Sequence, residues 1–135
     1  MLKISTKSQY GLRAMVCLAK SKTKICPLKE ISKKEGLSFD YLEKIVSKLK
    51  KAGLVNSKKG SQGGYFLAEK PARIKIGKII LALEGKGGLV KCLAGEKKYR
   101  CPLARKCLTR GFWQKIQSSI EKTLNSITLA DLIKK

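Results

Sequence analysis

Three of the five cysteines lie close together in the second half of the chain, and their spacing suggests metal chemistry. Cys92, Cys101 and Cys107 fall within sixteen residues, separated by eight residues and then by five. Thiolates are the ligands that soft metal ions and iron–sulfur clusters prefer, and nearby cations stabilise them. The basic neighbours are Lys91, Arg100, Arg105, Lys106 and Arg110. The pattern favours an iron–sulfur cluster. Redox-active thiols are an alternative, and zinc fits less well because a structural zinc site needs four ligands.

The absence of histidine and the other two cysteines limit the function classes that the sequence allows. The chain has no histidine, so no Ser–His or Cys–His nucleophile pair can form, and no catalytic constellation indicates an enzyme. Cys17 and Cys26 are expected to be structural. An odd cysteine number and an opening without the apolar stretch of a signal peptide favour a reducing, cytoplasmic location over a disulfide framework. No apolar run reaches the roughly 18 residues of a membrane span, so we expect no membrane insertion.

The charge balance indicates a polyanionic partner. The 135 residues carry 31 basic and 9 acidic side chains, a formal net charge of +22. Such a chain is expected to bind DNA, RNA or an anionic surface. The basic residues are mostly lysines spread along the whole chain, so charge alone does not locate the binding surface. A small basic RNA-binding protein therefore remains an alternative at this point.

The first half has the element order of a winged helix-turn-helix domain. Helices are predicted over residues 6–19, capped by Ser5 or Thr6, over 27–36 with Pro27 as first helical residue, and over 38–51. Strands are predicted at 54–56 and 65–67, with a glycine-rich turn at 60–64 between them. In this arrangement the third helix enters the major groove and the hairpin reaches the DNA backbone. Residues 44–59, with six lysines and no acid, place the basic surface there.

Helical periodicity also divides the third helix into two faces. The inward stripe is Phe39, Leu42, Ile45, Val46 and Leu49, and the outward residues are Asp40, Tyr41, Glu43, Lys44, Ser47 and Lys48.

The second half predicts a helix over 74–84, a cysteine loop over 85–108 and a long amphipathic helix over about 109–125. The apolar stripe of the long helix is in excess of what the first half needs for a core, which predicts a homodimer. The stripe residues are Phe112, Trp113, Ile116, Ile120, Leu124 and Ile127. Thr128 and Asp131 have capping-box spacing for a short last helix. We therefore divide the chain into a DNA-binding domain (1–84), the cysteine loop (85–108) and a dimerisation helix with its tail (109–135).

Seven motifs in order carry a family resemblance over nearly the whole chain. They are ISTKSQYGLRAM, PLKEIS, LSFDYLEKIVSKLKKAGLV, KGSQGGYFLA, ALEG, KCLTRGFW and ITLADLI. The sequence resembles the Rrf-type winged-helix transcription regulators, the IscR, NsrR and CymR family. The resemblance implies a mainly α fold with a β-hairpin wing and long C-terminal helices that cross in a homodimer. It also implies an iron–sulfur cluster on Cys92, Cys101 and Cys107 that senses cluster, redox or nitric-oxide status.

Three positions depart from the family pattern. Arg110 stands where a histidine would be the fourth cluster ligand, and Gln9 stands where other members supply an acidic ligand from the partner chain. The cluster could therefore be 2Fe–2S or 4Fe–4S. In the wing, Lys59 replaces an arginine and lacks its planar, bidentate fork.

The expected sites follow from these patterns. Ser38, Asp40, Tyr41, Glu43 and Lys44 are expected at base edges, Lys48, Lys58 and Lys59 at phosphates, and Gly63 and Gly64 where the wing backbone approaches double-stranded operator DNA. The dimer interface is expected at Trp113, Ile116, Ile120 and Leu124. A cluster-free thiol regulator and a small basic nucleic-acid-binding protein are the alternative functions.

Overall fold

The computed structural model describes residues 2–22, 24–85, 87–95 and 101–134. These residues form mostly helices, with one two-stranded antiparallel hairpin. The helices are α1 (Thr6–Lys20), α2 (Leu28–Glu35), α3 (Phe39–Lys51), α4 (Ile76–Glu84), α5 (Arg110–Ser126) and α6 (Leu129–Ile133), and the strands are β1 (Val55–Lys58) and β2 (Gly64–Leu67). Short 3-10 turns lie at Pro71–Arg73 and Lys91–Leu93. The mainly α fold with a hairpin agrees with the sequence prediction.

Local signals mark the start of α1 and both ends of α2. The Ser5 side chain accepts a hydrogen bond from the backbone N–H of Ser8 and so caps α1. Pro27 precedes α2 rather than forming its first residue, which corrects the predicted start by one position. Gly36 ends α2 in the left-handed region at φ 64°, where a residue without Cβ is favoured.

The hairpin, called the wing here, differs from the prediction at both strands: β1 begins after Leu54 and extends to Lys58, and β2 begins one residue earlier than predicted. Val55 pairs with Leu67 and Lys58 pairs with Gly64, so Gly64 belongs to β2 and not to the turn. A third segment joins the wing: Cys26, just before α2, exchanges two backbone hydrogen bonds with Tyr65 at 2.8 and 2.9 Å. The wing is therefore attached directly to the helix-turn-helix segment.

One core holds both ends of the chain together. Its fully buried members come from α1, α2, α3, α4, β1 and α6. The backbone N–H of Leu129 donates to Ile74 O at 2.8 Å, and that of Ile76 donates to Ile127 O at 2.9 Å, so the C-terminal segment closes over the start of α4. The predicted capping box of Thr128 and Asp131 is present and begins α6. Within the described ranges, no helix is both long and apolar enough to cross a membrane.

Candidate nucleic-acid interface and cysteine loop

The exposed face of α3 is fixed by the burial of the opposite face. Leu42, Ile45, Val46 and Leu49 are almost completely buried, which leaves Asp40, Glu43, Lys44, Ser47 and Lys48 exposed on the other side. The Ser38 hydroxyl accepts from the backbone N–H of Tyr41 and caps the helix as expected. Phe39 was predicted to point inward, but it is 40% exposed because the first turn of α3 extends beyond the core.

Tyr41 is half-buried rather than outward-facing. Its ring meets the ring of Tyr10 edge to face at 5.9 Å between centroids. The Arg13 guanidinium lies 5.9 Å from the same Tyr10 ring and forms an ion pair of 2.8 Å with Glu35. These contacts hold α1, α2 and the start of α3 in one arrangement. Sequence periodicity did not predict them, because they depend on the approach of three separate helices.

The wing carries exposed lysines. Lys58 and Lys59 are exposed at the tip of the wing, and neither forms an ion pair in the described ranges. Lys50 differs from them, because its ammonium group donates to the Ser57 hydroxyl at 2.6 Å and links α3 to β1. The exposed ammonium groups of the wing are therefore available to an external anion.

Packing within the chain requires both glycines assigned to the wing. A Cβ on Gly63 would lie 2.1 Å from the Lys58 carbonyl oxygen, and one on Gly64 would lie 2.5 Å from the Cys26 carbonyl oxygen. Both distances are too short for any side chain. This reason for glycine is independent of a close approach to DNA.

Lys7 extends the basic surface from α3 onto α1. Contact with the Lys7 side chain, followed by repulsion between the two ammonium groups, lowers the pKa of the exposed Lys48. Two cations held side by side favour an anion between them. The sequence analysis missed Lys7, since only the packing of α1 against α3 places it beside Lys48.

The three cysteines of the cysteine loop line one cavity. Its volume is about 550 Å³, and Arg105, Lys106 and Arg110 are among its lining residues. All three thiols are free and half-buried. Cys92 was expected on irregular chain but lies in the Lys91–Leu93 turn. Residues 96–100, including Arg100, fall outside the described ranges.

The surroundings of Cys107 favour its thiolate form. Its Sγ lies 3.4 Å from the Thr109 hydroxyl oxygen at the start of α5. Hydrogen bonds from the Thr109 side chain and from the backbone N–H groups of Thr109 and Arg110 lower the pKa of Cys107, and the Arg110 charge acts in the same direction. The predicted effect of Arg110 is therefore present but smaller than that of the hydrogen bonds.

The donor set and the basic lining fit a cluster that needs thiolates, but no complete ligand set is assembled. Among the described residues, no three Cys, His, Asp or Glu side chains are arranged so that they could hold a metal ion. Arg110 lines the cavity and cannot ligate. Gln9 is exposed on α1, and its amide donates to the Ile4 carbonyl at 3.1 Å.

The apolar stripe of α5 is largely uncovered. None of the residues of α5 is buried: Phe112 is 56% and Ile120 38% exposed, while Trp113, Ile116 and Leu124 are half-buried. A groove of about 820 Å³ runs between α4 and α5. Ile80, Leu81, Ile120 and Leu124 line it, together with basic side chains such as Lys75 and Lys78.

The Gln117 side chain connects the cysteine loop to α5, and the Glu84 side chain connects α4 to the start of α1. Gln117 on α5 accepts from the backbone N–H of Leu89 at 3.0 Å, three residues before Cys92. Glu84, at the end of α4, accepts from the hydroxyls of Ser5 at 2.5 Å and of Ser8 at 2.6 Å. No sequence pattern indicated Gln117.

Comparison with known proteins identifies the family. Residues 4–135 match the family model described as "Rrf2: Iron-dependent Transcriptional regulator". The HTH-type transcriptional regulator IscR of Vibrio campbellii is 39% identical over 134 residues, covering 98% of this chain and 78% of that protein. The structure of T. potens IscR matches with a TM-score of 0.77 and 43% identity, covering 98% of this chain and 86% of that one. That of CymR, the global cysteine regulator of B. subtilis, matches with a TM-score of 0.76 and 41% identity, covering 98% and 96%.

These matches extend over almost the whole chain, and they agree with the winged-helix order of its elements. They confirm the resemblance read from the seven motifs and indicate a regulator rather than an enzyme. The chain belongs to the Rrf2 family of transcriptional regulators.

Proposed function

We propose that the protein is a homodimer that binds operator DNA and changes its affinity with the state of an iron–sulfur cluster on the cysteine loop. The observation that carries the sensing function is that Cys92, Cys101 and Cys107 line one basic cavity at the start of α5. Proximity along the chain does not by itself bring three cysteines to one cavity, because the side chains of a loop can point in different directions. Because the three cysteines meet beside α5, the helix assigned to the dimer interface, a change in what their thiols bind can alter the arrangement of the dimer.

The DNA contacts are assigned to the exposed side of α3 and to the wing. Glu43 and Asp40 can accept from cytosine amino groups and can repel misplaced phosphates. Lys44 is exposed at the same end of α3, while Ser38 and Tyr41 act mainly by fixing its first turn. Lys48, Lys58 and Lys59 would hold phosphates, with Gly63 and Gly64 keeping the wing compact.

The homodimer is assigned to the apolar stripe of α5, together with the groove between α4 and α5 that its second half lines. Trp113, Ile116, Ile120 and Leu124 would meet the same residues of a second chain across a two-fold axis. Exposed Leu81 and Phe112, both 56% exposed, extend the same apolar surface. Contiguous apolar patches of this kind are typical of protein interfaces.

The three loop cysteines would hold the cluster, and the chain's own residues would prepare the site. An iron–sulfur cluster bound here would supply a centre that oxidants, iron limitation or nitric oxide can destroy. Thr109 and the start of α5 stabilise Cys107 as a thiolate. Arg105, Lys106 and Arg110 offset the negative charge of three thiolates.

Gln117 offers the connection from the loop to the dimer. Because its side chain holds the segment before Cys92 against α5, a rearrangement of the thiols changes the constraint on that helix. A tilt of α5 at the dimer axis would change the spacing of the two DNA-binding halves, and operator affinity with it.

A cluster-free thiol regulator is the second candidate, favoured by the lack of an assembled metal-ligand group in the described residues. Anaerobic purification followed by iron and sulfide analysis separates the two. The proposal predicts a brown protein with visible absorbance and stoichiometric iron and sulfide. A colourless, iron-free protein that binds DNA in a thiol-dependent manner would favour the second candidate. Competition between DNA and RNA in a gel shift tests the nucleic-acid assignment separately.

A further inference from the structure

Cys17 and Cys26 form a second pair of thiols outside the cysteine loop. Cys17 lies on α1 and is half-buried, whereas Cys26 precedes α2 and is only 2% exposed. Their side chains are hydrogen-bonded to each other, and both belong to the core and its immediate packing shell. Neither thiol is explained by the proposed cluster. The sequence analysis treated both as structural.

We propose that Cys17 and Cys26 are a dithiol site that closes to an intramolecular disulfide by exchange with a low-molecular-weight disulfide, and that closure displaces the wing. The formation of the disulfide is independent of the cluster. Only its effect on operator affinity rests on the DNA-binding function proposed above.

The exchange is balanced in two steps. The thiolate of Cys17, the more exposed of the pair, attacks one sulfur of the small disulfide, forms a mixed disulfide and expels one small thiolate. The thiolate of Cys26 then attacks the Cys17 sulfur and expels the second small thiolate. The two protein thiols lose two electrons and two protons in total, and the two small thiols receive them.

Burial limits how fast the pair reacts. It raises the pKa of both thiols, so both are protonated at neutral pH and only a small thiolate fraction can attack. The charged groups that face the pair are Lys34, Glu35 and Glu30, all on α2. The site is therefore suited to sustained oxidation and not to a rapid response, and its rate of closure should increase with pH.

Closure would act on the wing through Cys26. The backbone of Cys26 is bonded to Tyr65 in both directions, and Gly64 packs closely against its carbonyl oxygen. A disulfide would replace the hydrogen bond between the two sulfur atoms with a covalent bond of about 2.05 Å, which draws the segment around Cys26 toward α1. Strand β2 must follow or lose its bonds, so the exposed lysines of the wing are displaced.

The test uses a chain in which Cys92, Cys101 and Cys107 are replaced by serine, with its fold checked by circular dichroism. After incubation with oxidised glutathione, free thiols are alkylated and the protein is analysed by mass spectrometry and peptide mapping. The proposal predicts a mass lower by two hydrogen atoms and a peptide linked through Cys17 and Cys26. The same linked peptide is expected from the unsubstituted apoprotein. If both Cys17 and Cys26 were alkylated once the treated protein was unfolded, or if the reaction stopped at a mixed disulfide with glutathione, the proposal would be refuted.

Amide hydrogen exchange and operator binding test the effect on the wing. Closure should change the exchange of the Tyr65 amide and weaken operator binding by about tenfold, or about 1.4 kcal/mol. Cys17→Ala, which cannot close, should show neither response to glutathione. Unchanged exchange after closure would refute the displacement of the wing. If neither the oxidised nor the reduced chain bound DNA, the proposed function would fail while the mass and exchange results would still decide the disulfide.

Discussion

The salt dependence of operator binding tests whether the basic surface is a defined footprint. Lys48, Lys58 and Lys59 are exposed and form no ion pair within the described ranges. If each neutralises one phosphate, three contacts per chain give a slope of log affinity against log salt of about −2.7, and about −5.4 for a dimer. Lys48→Ala removes two contacts per dimer, so the slope should become shallower by about 1.8.

Two other lysines provide matched controls for the same loss of charge. Lys50 lies on the same helix, but its ammonium group is held by Ser57 at 2.6 Å. Lys134 lies in the C-terminal tail, 3.9 Å from the Asp131 carboxylate. Lys50→Ala and Lys134→Ala should change the slope little in fluorescence anisotropy titrations at several salt concentrations. Equal changes for all three variants would show diffuse electrostatic attraction and refute the docking of α3.

The remaining predictions concern the dimer, the core and the loop. Ile120→Lys places a charge in the apolar groove and should give a monomer in analytical ultracentrifugation. Ser118→Lys, on the exposed side of α5, should remain dimeric. A dimeric Ile120→Lys variant would show that the stripe packs within one chain. Glu84→Ala should lower the free energy of unfolding by about 1–3 kcal/mol, because a buried serine hydroxyl loses its acceptor. Hydrogen bonds from serine hydroxyls lower the pKa of Glu84, so the stabilisation is present above its unfolded pKa near 4.5 and is lost as pH falls through the folded pKa. Urea titrations at several pH values should show that loss in the parent protein and not in Glu84→Gln. Gln117→Ala should leave cluster content unchanged but reduce the difference in operator affinity between cluster-bound and cluster-free protein, while Gln114→Ala should retain that difference.

Local signals accounted for most elements of the fold. Ser38 before an apolar stripe predicted the start of α3, and Thr128 with Asp131 predicted the start of α6, because both depend on residues within one turn. The prediction that Phe39 faces inward was wrong, because a helical wheel does not show how far the core extends beneath the first turn. The glycine-rich turn was predicted one residue too long at Gly64, and the strand ends also differ, since pairing with the opposite strand decides them.

Contacts between distant segments could not be predicted in this way. The Cys26–Tyr65 bridge, the Tyr10–Tyr41 ring contact and the Gln117–Leu89 hydrogen bond each join residues whose proximity depends on packing of the whole domain. The three loop cysteines were identified from spacing and residue type alone. Their common cavity, and the role of Thr109 in favouring the Cys107 thiolate, required the structure.

Iron and sulfide content of anaerobically purified cysteine variants tests the central claim most directly. Cys92→Ala, Cys101→Ala and Cys107→Ala should each lose stoichiometric iron and the visible absorbance while remaining folded, because these half-exposed side chains lie outside the core. Cys17→Ala, at a thiol that does not line the cavity, should retain both. Stoichiometric iron and sulfide in all three loop variants would contradict the assignment of the cysteine loop as the cluster site.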